Sequence, residues 1–150
     1  ECLKNIGYIS HCKHCLHRQT SKGIAGPIDE ICPICGEKLI HAGPLWLGNL
    51  QDGEFIEKMI KEIDNKKINS EKKALKLLNS CLEEADAPAT FYEIHKLCKS
   101  LTISAPKLDL IFDEIKKEGF LAIKTHYNPL GIKSDATISD IKNILLNLCK

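Results

Sequence analysis

Two closely spaced cysteine pairs constrain this chain more than any other feature. Cys12 and Cys15 form one C-x-x-C pair, Cys32 and Cys35 form a second, and sixteen residues separate the pairs. Two residues between cysteines let one tight turn direct both sulfurs at a common ion, and a second such turn completes a tetrahedron of thiolates. The spacing therefore predicts a structural zinc ion bound by Cys12, Cys15, Cys32 and Cys35.

The segment around these pairs has little else with which to fold. Between Cys2 and Ala42 few residues are apolar, and none of them form a long periodic face. Structural zinc contributes on the order of 10 to 16 kcal/mol in small peptides, so a metal ion can replace the missing core. We therefore expect residues 1–52 to form a zinc ribbon.

The sequence context makes three other roles of the cysteines and nearby histidines less favourable. A redox dithiol normally opens a helix after a strand in a βαβ unit, and neither pair has that context. A catalytic zinc ion usually keeps an open coordination position, which four cysteines would close. A histidine could replace one thiolate, although an outer-sphere or exposed polar role is favoured; the candidates are His11, His14, His17 and His41.

After the cysteines, apolar residues recur at steps of three and four, which is typical of amphipathic helices. Thr90 with Glu93, and Thr137 with Asp140, form predicted capping boxes, while Gly119 predicts a left-handed helix end. Ser70 and Ser104 are predicted N-caps. The predicted helices cover residues 53–64, 70–85, 91–101, 105–118 and 138–149.

Between the last two predicted helices lies a segment rich in strand formers. Residues 120–127 predict a strand, residues 128–131 a turn, and residues 132–135 a returning strand. Three short helices followed by a hairpin is the winged-helix order. The predicted fold class is α+β, in which a zinc ribbon with short, metal-stabilised strands (1–52, including a tryptophan-containing connector) precedes a helical winged-helix-like domain with a β-hairpin wing (53–150).

The charge balance limits the possible partners. The formal net charge of +1 excludes a globally basic nucleic-acid coat, so any RNA contact must come from a local patch. The predicted helix 105–118 carries three lysines against four acidic residues, so we expect no DNA reading. Residues 58–76 hold seven lysines against three acidic residues, which fits either a solvated face or a phosphate-tracking patch.

The chain's ends and hydropathy give weaker expectations. No apolar run reaches the length of a membrane span and no leader is recognisable, so we expect a cytoplasmic protein without membrane contact. The sequence begins at Glu1 and its single methionine is Met59, which favours a fragment of a longer chain.

Two stretches resemble a known family. "GPLWLGNLQD" (residues 43–52) and "THYNPLGIKSDA" (residues 125–136) resemble signature segments of the tRNA guanine-26 N2-dimethyltransferases, in which C-x-x-C cysteines also precede the tryptophan motif. The resemblance spans nearly the whole chain. It implies that these residues are the C-terminal half of such an enzyme.

The resemblance also implies an activity that this segment cannot perform by itself. In the family, one or two methyl groups pass from S-adenosylmethionine to the exocyclic N2 of a guanine in tRNA, and an N-terminal doubly wound α/β domain holds the cofactor. No glycine-rich strand-to-helix turn and no Asp-Pro-aromatic motif occur here, so we expect no catalytic or cofactor-binding residue. Asn128 and Pro129 superficially resemble an amine-methyltransferase motif but are assigned to a turn.

The implied partners are tRNA and the N-terminal cofactor domain of the same polypeptide. Trp46 is either an anchor against that domain or local core filler. Folded RNA is recognised largely by shape, so contacts should go mainly to phosphate and sugar. The candidate RNA contacts are Arg18, Lys66, Lys67, Lys72, Lys73, Lys124, His126 and Lys133.

Two other functional classes stay open at this stage. A free-standing zinc-ribbon and winged-helix protein could be a nucleic-acid-binding transcription factor. A zinc-containing scaffold that bridges protein partners is the third possibility. An upstream cofactor domain in the same reading frame would favour the methyltransferase, and failure to bind tRNA at low salt would favour the scaffold.

Overall fold

The computed structural model describes residues 2–25, 29–66 and 69–149. It is a mixed α+β structure whose described residues form two small antiparallel sheets and five α-helices, which confirms the predicted class. Contacts between residues divide the chain into two compact units, Glu1–Gly48 and Asn49–Lys150. The domain boundary predicted from sequence lies after residue 52.

The first unit is a three-stranded sheet. A short 3₁₀ helix (Cys2–Asn5) leads into β1 (Ile6–Cys12), which pairs with both β2 (Arg18–Lys22) and β3 (Leu39–Trp46). The order is β2-β1-β3, so β1 is central. A Cβ atom on Gly7 would overlap the carbonyl oxygen of Ser21, so only glycine allows the strands to approach this closely.

The core of the first unit consists mainly of cysteine side chains. Its buried cluster contains Leu39 and three cysteines, Cys12, Cys15 and Cys32, with Cys35 packed against it. Its single aliphatic side chain contributes only about 1.5 to 3 kcal/mol by burial, and each cysteine is a smaller apolar group. This agrees with the sequence argument that the segment needs another source of stability.

The second unit begins with two helices that pack against each other, and it continues with three short strands and three further helices. Its elements are α1 (Gly53–Asn65), α2 (Glu71–Glu83), β4 (Tyr92–Glu93), α3 (Ile94–Leu101), α4 (Leu108–Lys117), β5 (Ile123–Lys124), β6 (Gly131–Lys133) and α5 (Ile138–Leu148). The three strands form an antiparallel sheet in the order β4-β6-β5. The core lies between this sheet and the last three helices; its fully buried side chains include Ile94, Leu97, Ile111, Ile115, Ile132, Ile141 and Leu145.

Several local signals produced the predicted helix ends. The Thr137 hydroxyl accepts from the Asp140 amide and the Asp140 carboxylate accepts from the Thr137 amide, so the predicted capping box of α5 is confirmed. Gly119 has φ of 89°, and the amides of Gly119 and Phe120 donate to Lys116 and Ile115 at 3.0 and 3.1 Å, which ends α4 in a Schellman motif.

Two predicted helix starts are wrong. Tyr92 and Glu93 pair with Ile132 and Gly131 in the sheet, so α3 begins at Ile94 and the capping box at Thr90 does not form. The fourth helix begins at Leu108 rather than residue 105. Ala105 precedes a proline, and a residue in that position is disfavoured in the α region.

The α1–α2 hairpin is also less buried than its periodicity predicted. Ile56 and Ile63 are buried, whereas Phe55 is exposed and α2 has no buried residue. Ser70 precedes α2 but makes no side-chain cap hydrogen bond. None of the helices in the described ranges has both the length and the apolar character needed to cross a membrane.

Candidate metal centre and buried charge cluster

The four predicted cysteines meet at one end of the first sheet. Their Sγ atoms all lie within 4.8 Å of one another, with Cys12 to Cys35 at 3.4 Å and Cys15 to Cys32 at 3.5 Å. A tetrahedral zinc ion with bonds of about 2.3 Å separates its sulfur ligands by about 3.8 Å. The four thiols therefore fit one ion of this type.

Two similar turns produce this arrangement. In the first, the amide of Leu16 donates to the Cys12 carbonyl at 3.0 Å, and in the second, the amide of Gly36 donates to the Cys32 carbonyl at 2.9 Å. Both closing residues are left-handed, with φ of 66° at Leu16 and 74° at Gly36. Glycine adopts this conformation at least cost, whereas a leucine in the first turn adopts it with some backbone strain.

The thiols differ in how readily they lose a proton. Burial raises the pKa of the Cys12 thiol, but hydrogen bonds from the Cys15 amide and neighbouring thiols outweigh burial and lower that pKa to about 7. Burial raises the pKa of Cys15 to about 12, against an opposing backbone hydrogen bond from His17. A metal ion binds thiolates, so its binding must displace the protons of the less acidic thiols.

The nearby histidines make other contacts. His11 Nδ1 lies 3.2 Å from the His17 carbonyl, and His41 Nδ1 lies 2.9 Å from the buried Ser10 hydroxyl. Among the described residues, the potential metal-binding group contains cysteines alone. Burial, and then the charge of Arg18, lower the pKa of His11. Arg18 pairs with His11 across the sheet, so its charge lies close enough to this imidazole to affect it.

Trp46 is the last residue of β3, the strand whose first residue, Leu39, packs in the cysteine cluster. It is 43% exposed, and a Cβ atom on Gly48 would lie 2.7 Å from its indole ring. The glycine therefore lets the backbone lie against the ring. Trp46 is not enclosed in the core of the first unit.

A second cluster, which the sequence did not reveal, lies in the second unit. Glu84 follows α2 and is 1% exposed, while Lys133 in β6 is 2% exposed. Glu84 Oε2 lies 3.2 Å from the Lys133 ammonium, in an ion pair that lacks hydrogen-bond alignment. Glu84 Oε1 accepts from the backbone amide of His126 and lies 2.9 Å from His126 Nδ1.

This cluster changes the interpretation of Lys133. A lysine in a predicted hairpin was expected to face solvent and contact RNA. Its ammonium is instead buried against a carboxylate, and pulling it out would leave Glu84 as a buried charge without its cation. No sequence pattern indicates this ion pair, because Glu84 follows α2 and is distant along the chain from the predicted hairpin.

The other predicted RNA contacts are dispersed. Lys66, Lys72 and Lys73 are exposed, and Lys66 pairs with Glu62 at 3.4 Å. Lys67 lies outside the described residues. Lys124 pairs with Asp109 at 3.1 Å and lies 5.3 Å from the centre of the Phe112 ring.

The family model for N2,N2-dimethylguanosine tRNA methyltransferase matches residues 1–146. The chain belongs to this family. The first-unit cysteines and the β5–β6 segment both fall inside the matched range. The family resemblance inferred from the tryptophan and wing segments is therefore confirmed.

Curated members of the N2,N2-dimethylguanosine tRNA methyltransferase family are similar over nearly the whole chain. A tRNA (guanine(26)-N(2))-dimethyltransferase of Methanobrevibacter smithii is 63% identical over 99% of this chain, and one of Methanothermobacter thermautotrophicus is 44% identical over the same share. The chain spans 38% and 39% of their respective lengths. It is therefore a fragment relative to these enzymes.

A solved structure is similar in fold. The complex of Trm1 from Pyrococcus horikoshii with S-adenosyl-L-methionine matches with a TM-score of 0.79 and 28% identity. The match covers 95% of this chain and 36% of that protein. Both units of the chain therefore have counterparts in a protein of this family.

Proposed function

We propose that this chain is the C-terminal, tRNA-binding region of an S-adenosylmethionine-dependent tRNA (guanine-26-N2)-dimethyltransferase, and that the cofactor domain lies upstream in the same polypeptide. The family match over residues 1–146, combined with the 38% share of the M. smithii enzyme, carries the proposal. The similar Trm1 structure contains S-adenosyl-L-methionine, so a cofactor site belongs to that protein. A cytoplasmic location is part of the same proposal.

The first unit is proposed to hold a structural zinc ion through Cys12, Cys15, Cys32 and Cys35. The donor set is four thiols at distances compatible with one tetrahedral ion. When bound, zinc would supply cross-linking rather than chemistry, because four cysteines leave no open position. The two turns would be fixed relative to the sheet, which sets the course of β3 towards Trp46. The half-exposed indole supports its role as an anchor for the upstream domain.

The second unit is proposed to be winged-helix-like. The element order from α2 to β6 and the strand order β4-β6-β5 support this assignment. In winged helices that read DNA, the helix equivalent to α4 enters the major groove. Here Asp109 and Asp113 lie on the exposed side of α4, which would repel phosphates. Any RNA contacts of this fold would therefore be made by residues outside α4.

The proposed phosphate contacts are a reduced set. They comprise four lysines of the α1–α2 region, Arg18 of β2 and two residues of the proposed wing: Lys66, Lys67, Lys72, Lys73, Arg18, Lys124 and His126. Lys133 is removed because its ammonium is buried against Glu84. Exposed lysines release counterions when they bind phosphates, so binding should weaken with salt.

The test is the salt dependence of binding to an unmodified tRNA transcript. Each phosphate contact contributes a slope of about −0.7 in log affinity against log salt for single strands, so a site that uses about four or five of these side chains at once predicts a slope of about −3. Replacing Lys66, Lys67, Lys72 and Lys73 by alanine should flatten that slope by two or more. A matched variant in α4, with Lys107, Lys116 and Lys117 changed to alanine, should keep the parent slope, because acidic residues surround these lysines.

Equal slopes for the parent and both variants would mean that the lysines are only a solvated face. The chain would then serve mainly to brace the catalytic domain. Undetectable binding of the parent to tRNA at low salt would instead contradict the RNA-binding role itself.

A further inference from the structure

The turn between β5 and β6 displays an exposed aromatic residue. Tyr127 is 52% exposed. Its ring lies edge to face against Phe91, with centroids 5.3 Å apart, and against His126, with centroids 4.9 Å apart. Rings in these arrangements hold one another in place. Two rings therefore hold Tyr127 in place, while about half of the residue stays exposed to solvent.

Hydrogen bonds make this turn rigid. The Thr125 hydroxyl donates to the Asn128 carbonyl at 2.6 Å and accepts from the Asn128 amide at 3.0 Å, while the Leu130 amide donates to the Asn128 side chain at 2.9 Å. A Cβ atom on Gly131 would lie 2.8 Å from the Thr125 hydroxyl and 3.0 Å from Phe91, so the glycine permits this close packing. A ligand that stacks on Tyr127 would pay little to order it.

Glu84 fixes the neighbouring imidazole. Its Oε1 binds both the amide and Nδ1 of His126, and Oε2 faces Lys133. With Nδ1 engaged, Nε2 is the ring nitrogen at which His126 can bind a ligand. The His126 side chain is 29% exposed, so part of the ring is accessible to a bound molecule.

The charges on the two sides of the turn differ. The Ile94 amide donates to the Leu130 carbonyl, so α3 begins beside the turn. The exposed residues of α3 are His95, Lys96, Lys99 and Ser100, and Lys96 pairs with Glu93 at 2.6 Å, which leaves a net positive charge on this side. The groove along α4 and β5 is lined by three carboxylates, those of Glu83, Asp109 and Asp113, against two lysines. The α3 side of the turn is therefore more favourable for a polyanion than the α4 side, where Lys124, a proposed phosphate contact, also pairs with Asp109.

We propose that Tyr127 and His126 form a stacking site for one unpaired nucleobase of RNA, with Glu84 as the residue that positions His126. An exposed ring recognises the face of any base, and the imidazole adds a polar contact at its edge. This inference rests on the proposed RNA-binding function. It adds a base contact to the proposed phosphate contacts and assigns His126 to the base rather than to a phosphate.

The probe is a ten-nucleotide single-stranded RNA carrying 2-aminopurine, whose fluorescence falls on stacking, together with an unmodified tRNA transcript. The 150-residue chain should quench the probe. Tyr127→Ala should abolish the quenching and weaken tRNA binding about tenfold, in line with stacking losses per base. Tyr127→Phe should retain both, because the phenyl ring still stacks. Phe55→Ala removes a comparably exposed ring, 60% exposed on α1, and should match the parent.

The positioning role of Glu84 is tested by two double variants that both remove the buried charges. Glu84→Gln/Lys133→Met keeps an oxygen acceptor for His126 and should keep the quenching. Glu84→Leu/Lys133→Met lacks the acceptor and should reduce the quenching, measured where circular dichroism shows both variants folded.

Two results would overturn the inference in distinguishable ways. If the parent binds tRNA and Tyr127→Ala binds and quenches equally well, the stacking site is refuted and the proposed function stands. If the parent binds neither tRNA nor the probe, both fail.

Discussion

The buried pair of Glu84 and Lys133 allows a direct test of how the second unit is held together. Removing one charge of a buried pair leaves the other desolvated without its partner, which costs about 3 to 5 kcal/mol. Both side chains are almost fully buried and 3.2 Å apart, so solvent cannot compensate for the loss. We expect Lys133→Met to lower the free energy of unfolding by about 3 kcal/mol or more.

The other two variants of the double-mutant cycle separate the effect of charge from the effect of side-chain shape. Glu84→Gln leaves Lys133 as the buried charge and should cost a similar amount. The double variant Glu84→Gln/Lys133→Met contains neither charge and should recover most of the loss, to within about 1 kcal/mol of the parent, because well-packed neutral replacements of buried pairs are often tolerated.

The assay is urea unfolding followed by helical ellipticity at 222 nm, which reports the second unit because all five α-helices lie there. Lys117→Met is the control. Lys117 is 3.1 Å from Glu114 but exposed, so its loss should cost no more than about 1 kcal/mol. If Lys133→Met were as mild as this control, the argument that burial makes the pair indispensable would be refuted.

The other predictions concern the metal and the chemistry. Elemental analysis of protein purified without chelator should find one zinc ion per chain, and Cys35→Ser should unfold the first unit while the helical ellipticity of the second unit is retained; absence of bound metal would contradict the site. Incubated with S-adenosylmethionine and unmodified tRNA, the chain alone should yield no N2-methylguanosine, because its proposed role excludes the cofactor site; turnover above a heat-inactivated control would disprove this.

Features that depend on nearby residues could be predicted from the sequence. The capping box of Thr137 and Asp140 and the left-handed Gly119 each need partners within a few residues. The four cysteines are a special case. Their two pairs are distant along the chain, but each pair has its own spacing signal, and one metal ion would bind both pairs.

Features that depend on distant partners could not be predicted. The box at Thr90 looked as sound as the one at Thr137, but Tyr92 pairs with Ile132, and this sheet contact determines where α3 begins. Lys133 looked like a wing lysine because nothing in residues 125–136 indicates that Glu84 lies against it. Propensity is a weak prior that tertiary contacts override.

The contact between Glu84 and Lys133 also has a consequence for inheritance. A change at either codon alone would produce an intermediate with a stranded charge, and a loss of a few kcal/mol is a large share of the stability of a small domain. Drift at these two sites should therefore be slow and correlated. Lineages that replace the glutamate should also have replaced the lysine, so the two positions should evolve as one character.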